Sequence, residues 1–221
     1  MKNILEYLEA AAAGFPEKTG FTDPDRDAAF VQVMDRSRKA ASSMKDIPAN
    51  SPVAIVIDRS VRCIEAMFAA VYAGCFYTVI DVHSPVSRIS DIFSTLRPTA
   101  VMTDSSCLAL TGEILEKCSM QDIAVITYED AVSCPEDTDF LSSVRASMID
   151  TDPLYVLFTS GSSGKPKGTV VSHRSVISYT EWVSAEFGFD ETTIFGSQAP
   201  LYFSMSVTDL FSTIKCGSTY H

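Results

Sequence analysis

Leu154-Tyr155-Val156-Leu157-Phe158-Thr159-Ser160-Gly161-Ser162-Ser163-Gly164-Lys165-Pro166-Lys167-Gly168 is the stretch on which the reading turns. Its first five residues are a continuous apolar run of strand-forming types, and the run passes without a break into glycine, serine and lysine. Three glycines, at 161, 164 and 168, let the backbone turn tightly and approach a ligand closely, leaving N–H groups free to point at an anion. Four hydroxyls, on Thr159, Ser160, Ser162 and Ser163, add donors, and Lys165 and Lys167 add positive charge. Together these features suit a polyphosphate, although the same residue types also build ordinary surface hairpins. The loop is not the G-x-x-x-x-G-K-[ST] phosphate motif: Thr159 stands where that pattern needs its first glycine, and Pro166 follows the lysine. Pro166 also prevents an immediate helix. No G-x-G-x-x-G opens a helix either, which removes the dinucleotide reading.

Upstream of this strand, the sequence alternates strands and helices. Ile4, Leu5, Leu8 and the alanines at 11 to 13 recur at helical spacing until Gly14-Phe15-Pro16, and Val31 to Met44 reads as an amphipathic helix. Val53 to Ile57 is an apolar run of the kind buried on both faces of a parallel sheet. Asp58 and Ser60 can cap a helix over Val61 to Ala73, which Gly74 stops. Strands then follow at Phe76 to Ile80, Ala100 to Thr103 and Ile123 to Thr127, with helices at Ser87 to Leu96 and Leu108 to Lys117 between them. This order predicts right-handed crossovers and an α/β fold containing a parallel sheet, with ligands beyond the carboxyl ends of its strands. Residues 128 to 150 are acidic and are expected to form an irregular surface connection.

Composition bounds the function. With 221 residues, 46% of them apolar, the chain can hold a core, and 17 basic against 28 acidic residues give a net charge of −11. That balance lacks the basic patch nucleic-acid binding needs, so no nucleic-acid partner is expected. Six cysteines form no C-x-x-C pair, so they are expected to be buried free thiols and neither zinc ligands nor a disulfide framework. Glu6 and Glu9 interrupt any signal sequence, and there is no run of about 18 uncharged apolar residues, so a cytoplasmic protein without a membrane span is expected.

Phe158 to Gly168 resembles the signature Tyr/Phe-Thr-Ser-Gly-[Ser/Thr]-[Ser/Thr]-Gly-x-Pro-Lys-Gly of the adenylate-forming superfamily, which contains acyl-CoA synthetases, amino-acid adenylation domains and luciferases. Tyr72 to Asp81 is similar to a second segment of that family, and Pro85 with Arg88-Ile89 to the P-x-x-R-I after it. Val31 to Ala41 and Phe203 to Phe211 resemble segments typical of amino-acid adenylation domains and D-alanine–carrier-protein ligases. The resemblance covers nearly the whole chain and implies the N-terminal part of that fold, an incomplete large domain over residues 1–221, with 1–150 and 151–221 as a candidate subdivision. One departure stands out. Where amino-acid-activating members place an Asp to pair with the substrate ammonium, this sequence has Ser204.

The resemblance implies an ATP-dependent ligase that joins a small carboxylic or amino acid to AMP, then passes the acyl group to the phosphopantetheine thiol of a carrier protein or to CoA. Thr159, Ser160, Gly161, Ser162, Ser163, Gly164, Lys165 and Lys167 would hold the ATP phosphates, and Phe203, Ser204, Met205 and Thr208 would line the acid pocket. The Mg-binding residue, the adenine contacts and the acyl-transfer Lys of the family lie downstream of these segments and are not found here, so no complete catalytic set and no metal ligand is expected. His173 is expected to be structural. Val207, Leu210, Phe211 and Ile214 are expected on an exposed face awaiting the missing C-terminal part, and Ser218 to His221 to open a strand. The expectation is an N-terminal fragment, inactive alone; the alternative is a non-catalytic parallel-sheet module that binds phosphate or a partner.

Overall fold

A computed structural model describes residues 1–160 and 165–221. Helix α1 (Leu5–Gly14) opens the chain, followed by the short strands β1 (Thr19–Thr22) and β2 (Asp27–Ala29) and helix α2 (Phe30–Ser42). The alternating segment then runs β3 (Pro52–Val56), α3 (Val61–Tyr72), β4 (Phe76–Val79), α4 (Val86–Leu96), β5 (Ala100–Thr103), α5 (Leu108–Cys118) and β6 (Ala124–Thr127). Helices α6 (Tyr128–Ala131) and α7 (Thr138–Ser147) lead into β7 (Pro153–Ser160) and β8 (Pro166–Ser172). The remainder is α8 (His173–Phe187), β9 (Ile194–Phe195), α9 (Ser206–Cys216) and β10 (Thr219–Tyr220).

One sheet has the order β6-β5-β3-β4-β7-β8, parallel throughout except for the antiparallel edge strand β8. Its central strand β3 is buried on both sides, as a continuous apolar run requires: Val53 and Ile55 join the core that includes α1, α2 and α3, while Ala54 and Val56 pack with Ile89, Phe93 and Ile114 on the opposite face. The Ser60 hydroxyl accepts from the Cys63 amide and starts α3, as its position before the apolar run predicts.

Residues 128 to 150 do not form an irregular connection. Asp137 caps α7 by accepting from the Phe140 amide, and Tyr128, Ala131, Leu141 and Met148 are buried in the main core. Of the acidic residues that suggest a solvated loop, Glu129, Asp130 and Asp139 belong to these helices, Asp137 caps α7 and Glu136 lies between them. Arg38 further pins the segment to α2 through Glu136, Nη2 to Oε1 at 2.5 Å.

A second sheet, β2-β1-β10-β9, brings residues 19–29 against residues 194–220, and β10 runs parallel to both β1 and β9. Gly217 turns the chain from α9 into this sheet. Its φ is +67°, and a Cβ there would stand 2.2 Å from Phe15 Cε2, so both the backbone and the packing demand glycine. The face of α9 expected to be exposed is not: Leu210, Phe211 and Ile214 are buried in the core beside α1, and Val207 is half-buried against it. An amphipathic stripe says that a helix is covered, and here α1 and α8 cover it.

Among the six free cysteines, Cys63, Cys75 and Cys107 are buried, while Cys118, Cys134 and Cys216 are half-buried. Burial pushes the Cys75 thiol up to about 11. No helix among the described residues is long and apolar enough to cross a membrane.

Candidate functional site

The hairpin of β7 and β8 carries the Gly-, Ser- and Lys-rich sequence. Its register pairs Phe158 with Gly168, Thr159 with Lys167 and Ser160 with Pro166, so the loop springs from the carboxyl end of a strand that lies parallel to β4. Gly168 is required by this pairing, because a Cβ there would meet Val156 Cγ1 at 2.8 Å and Phe158 Cζ at 3.2 Å. Pro166, which excludes a helix, instead begins the edge strand, where its missing N–H costs no ladder bond inside a sheet. Thr159, Lys165 and Lys167 are exposed at the end of the hairpin. Neither lysine enters an ion pair among the described residues. The calls on Gly161, Ser162, Ser163 and Gly164 lie outside the described residues, as does the side chain of Ser160.

Two cavities flank β7. One of about 710 Å³ is lined by Tyr155, Tyr179, Gln198, Ser204, Met205 and Thr208, among others. The second, about 260 Å³, lies between α4 and the ends of β4 and β7, where Asp81, Ser84, Arg88, Phe158, Tyr202 and Phe203 meet. The turn Tyr202–Met205 therefore divides the residues nominated from sequence. Ser204, Met205 and Thr208 share the larger cavity, and Phe203 belongs to the smaller one.

The larger cavity is mostly apolar, with a few polar groups and one carboxylate. The Tyr179 hydroxyl and Thr208 Oγ1 are 2.6 Å apart. Tyr155 is 5% exposed, and burial with the neighbouring Tyr179 pushes its phenol up to about 12, so it is a neutral donor at any working pH. Asp209, in the first turn of α9, supplies the single carboxylate of the lining, and burial raises its pKa above the ordinary carboxylate range.

His173, just beyond β8, does no visible chemistry. It is 1% exposed and its Nδ1 accepts the Ile4 amide at 3.2 Å, while burial lowers its pKa to about 4. Among the described residues, no group of three or more His, Cys, Asp or Glu side chains is placed to hold a metal ion.

The family model for AMP-binding enzymes matches residues 8–221. This chain belongs to the AMP-binding enzyme family. A D-alanine–D-alanyl carrier protein ligase of Staphylococcus aureus is 29% identical over 221 residues, covering 99% of this chain and 42% of the relative. The ligase of the same name from Lacticaseibacillus rhamnosus is 27% identical over 218 residues, 98% of this chain and 41% of its own length. The chain thus spans about two-fifths of the curated relatives it matches.

Solved structures extend the likeness at the level of fold. The N-terminal subdomain of NpsA from Klebsiella oxytoca, in complex with 3-hydroxybenzoyl-AMSN, superposes with a TM-score of 0.79 at 18% identity, over 100% of this chain and 53% of that one. A putative long-chain-fatty-acid CoA ligase from Rhodopseudomonas palustris gives 0.82 at 14% identity, over 99% and 56%. The α/β architecture of this AMP-binding family member is therefore that of the N-terminal subdomain of adenylate-forming enzymes.

Tyr155, Tyr179, Gln198 and Asp209 were not legible as residues that line this cavity. Tyr155 reads as a core strand residue and Tyr179 as one of many helix positions; only their convergence on α9 makes them a wall. Asp209 lies inside the quoted segment Phe203 to Phe211, yet nothing in its spacing separates it from a solvated helix residue.

Proposed function

We propose that this chain is the N-terminal portion of the large domain of an ATP-dependent ligase, which activates a carboxylic or amino acid as its acyl-adenylate and passes the acyl group to a thiol of a carrier protein or CoA. The observation that carries the reading is the β7–β8 hairpin, which exposes Thr159, Lys165 and Lys167 at the carboxyl end of a strand whose Tyr155 lines a mostly apolar cavity of about 710 Å³.

In the first step an oxygen of the substrate carboxylate attacks the α-phosphorus of ATP. The new P–O bond forms as the bond to pyrophosphate breaks, and pyrophosphate carries the electron pair away. Thr159, Ser160 and the loop 161–164 donate hydrogen bonds to the β- and γ-phosphates, and Lys165 and Lys167 offset their negative charge. In the second step a thiolate attacks the acyl carbon and AMP leaves. The cavity orients the acid, so that catalysis is positioning plus charge stabilisation. Magnesium, expected with the nucleotide, supplies further charge neutralisation when bound; the described residues offer it no cage.

The test is acid-dependent ATP–pyrophosphate exchange on the 221-residue chain and on the longest natural polypeptide that contains it. Exchange is expected from the longer polypeptide alone, and replacing Lys165 and Lys167 together by Ala should lower it at least about tenfold. Turnover by the 221 residues alone would overturn the fragment reading, and exchange indifferent to both lysines would overturn the site.

A further inference from the structure

Strand β9 is an edge of the second sheet: β10 pairs with one side of it, and no strand among the described residues lies on the other. The Thr219 and His221 amides donate to the carbonyls of Thr193 and Phe195, and the Ser197 amide donates to the His221 carbonyl. In a parallel ladder alternate residues serve one neighbour, so the amides and carbonyls of Ile194 and Gly196 turn to the open side. Ile194 is 72% exposed, and a Cβ added at Gly196 would meet nothing within 4 Å. Thr192 to Ser197 contains no Lys or Pro of the kind that blunts an exposed edge.

Apolar surface adjoins this edge. Tyr179 and Trp182 stand three residues apart on the outer face of α8 with their rings 6.0 Å apart, and Trp182 is 57% exposed. The exposed Phe187 stacks on Phe189, which meets Phe195 of β9 edge-on. Gly196 and Tyr179 line the same cavity of about 710 Å³, and its Ser204 and Met205 are exposed. An open edge and an aromatic face that meet at a cavity mark a surface that another segment covers.

The size of the shared fold identifies that segment. All of this chain superposes on only 53% of the NpsA structure, which is itself an N-terminal subdomain. Nearly as much chain again therefore belongs to one compact unit of this fold, and it must pack on the matched half. We propose that the remainder of the large domain docks here: one of its strands pairs with β9 along Ile194 to Gly196, its apolar side chains cover Tyr179 and Trp182, and it supplies the missing wall of the cavity at Gly196. This rests on the chain being the N-terminal portion of such a domain.

Amide hydrogen exchange tests the pairing, on the 221-residue chain and on the longest natural polypeptide that contains it. The Ile194 and Gly196 amides should exchange freely in the former and at least about a hundredfold more slowly in the latter. Trp182→Lys and Ile194→Lys should each shift the Tm of the 221-residue chain by less than about 2 °C and lower that of the longer polypeptide by about 5 °C or more. Leu108→Lys, exposed at the start of α5, should be neutral in both. Amides equally unprotected in the two proteins, or lysines equally tolerated in both, overturn the proposal. So does concentration-dependent protection in the 221-residue chain, which would make a second copy the occupant, or a natural polypeptide with no further chain. Acid-dependent ATP–pyrophosphate exchange reads the ligase assignment separately. Protection without exchange activity in the longer polypeptide would sink that assignment and leave the docking surface; activity without protection would sink the docking surface alone.

Discussion

The backbone amide of Ile4 donates to Nδ1 of His173, a residue 169 positions away, and the bond is buried. It joins the first helix to the start of α8, and it exists only while the imidazole is neutral, because a protonated ring has no lone pair to accept with.

That requirement gives a signed pH dependence. Burial lowers His173 from 6.5 to about 4, so between these values the unfolded chain binds a proton that the native state refuses. Stability is therefore lost as pH falls from 6.5 towards 4, by about 3 kcal/mol for this group. His173→Gln, which retains an acceptor and does not titrate, should lose stability less steeply over that range in urea unfolding. Parallel curves for the two proteins would refute the assignment.

Glu65 acts in the opposite direction. It is fully buried in α3, in contact with Arg26 and the Tyr128 hydroxyl, and burial outweighs both partners to raise it from 4.5 to about 7. The native state then keeps a proton that the unfolded chain releases between pH 4.5 and 7, so this contribution to stability declines as pH rises through that window. Glu65→Gln should remove the decline. Because the His173 and Glu65 windows overlap with opposite sign, wild-type stability should be nearly level from pH 5 to 6 and tilt in each single variant.

Gly168→Ala tests the hairpin. The added methyl would press on Val156 and Phe158, and a cost of about 1–3 kcal/mol is expected from overpacking against a paired strand. Thermal unfolding reads it; an unchanged Tm would mean that the β7–β8 packing is looser than the contact distances require.

Phe211→Ala tests the covered face of α9. At 1% exposure and within the main core, the ring should cost about 3–5 kcal/mol on removal, whereas an exposed ring would cost almost nothing.

Much of this protein was legible locally. The alternation of β3, α3, β4, α4, β5, α5 and β6 follows from period and caps, since each depends on residues a few positions apart. The strand that leads into the loop and the structural character of His173 were likewise readable, the first from a continuous apolar run and the second from a lone imidazole beginning a helix. The interval from 128 to 150 reads as irregular because its helices are only four and ten residues long and their buried apolar residues, Tyr128, Ala131 and Leu141, carry little periodic signal.

Sequence by itself determined the parallel sheet, the strand that enters the loop at Thr159, and the family. Tertiary structure decided the second sheet, where β1 and β10 pair across some two hundred residues through strands too short to announce themselves. It also decided that α9 is covered and that Tyr155, Tyr179 and Asp209 share a cavity with Ser204. The reason is physical: period and turn chemistry are written into neighbouring residues, whereas pairing, burial and the walls of a pocket are relations between segments that only packing brings together.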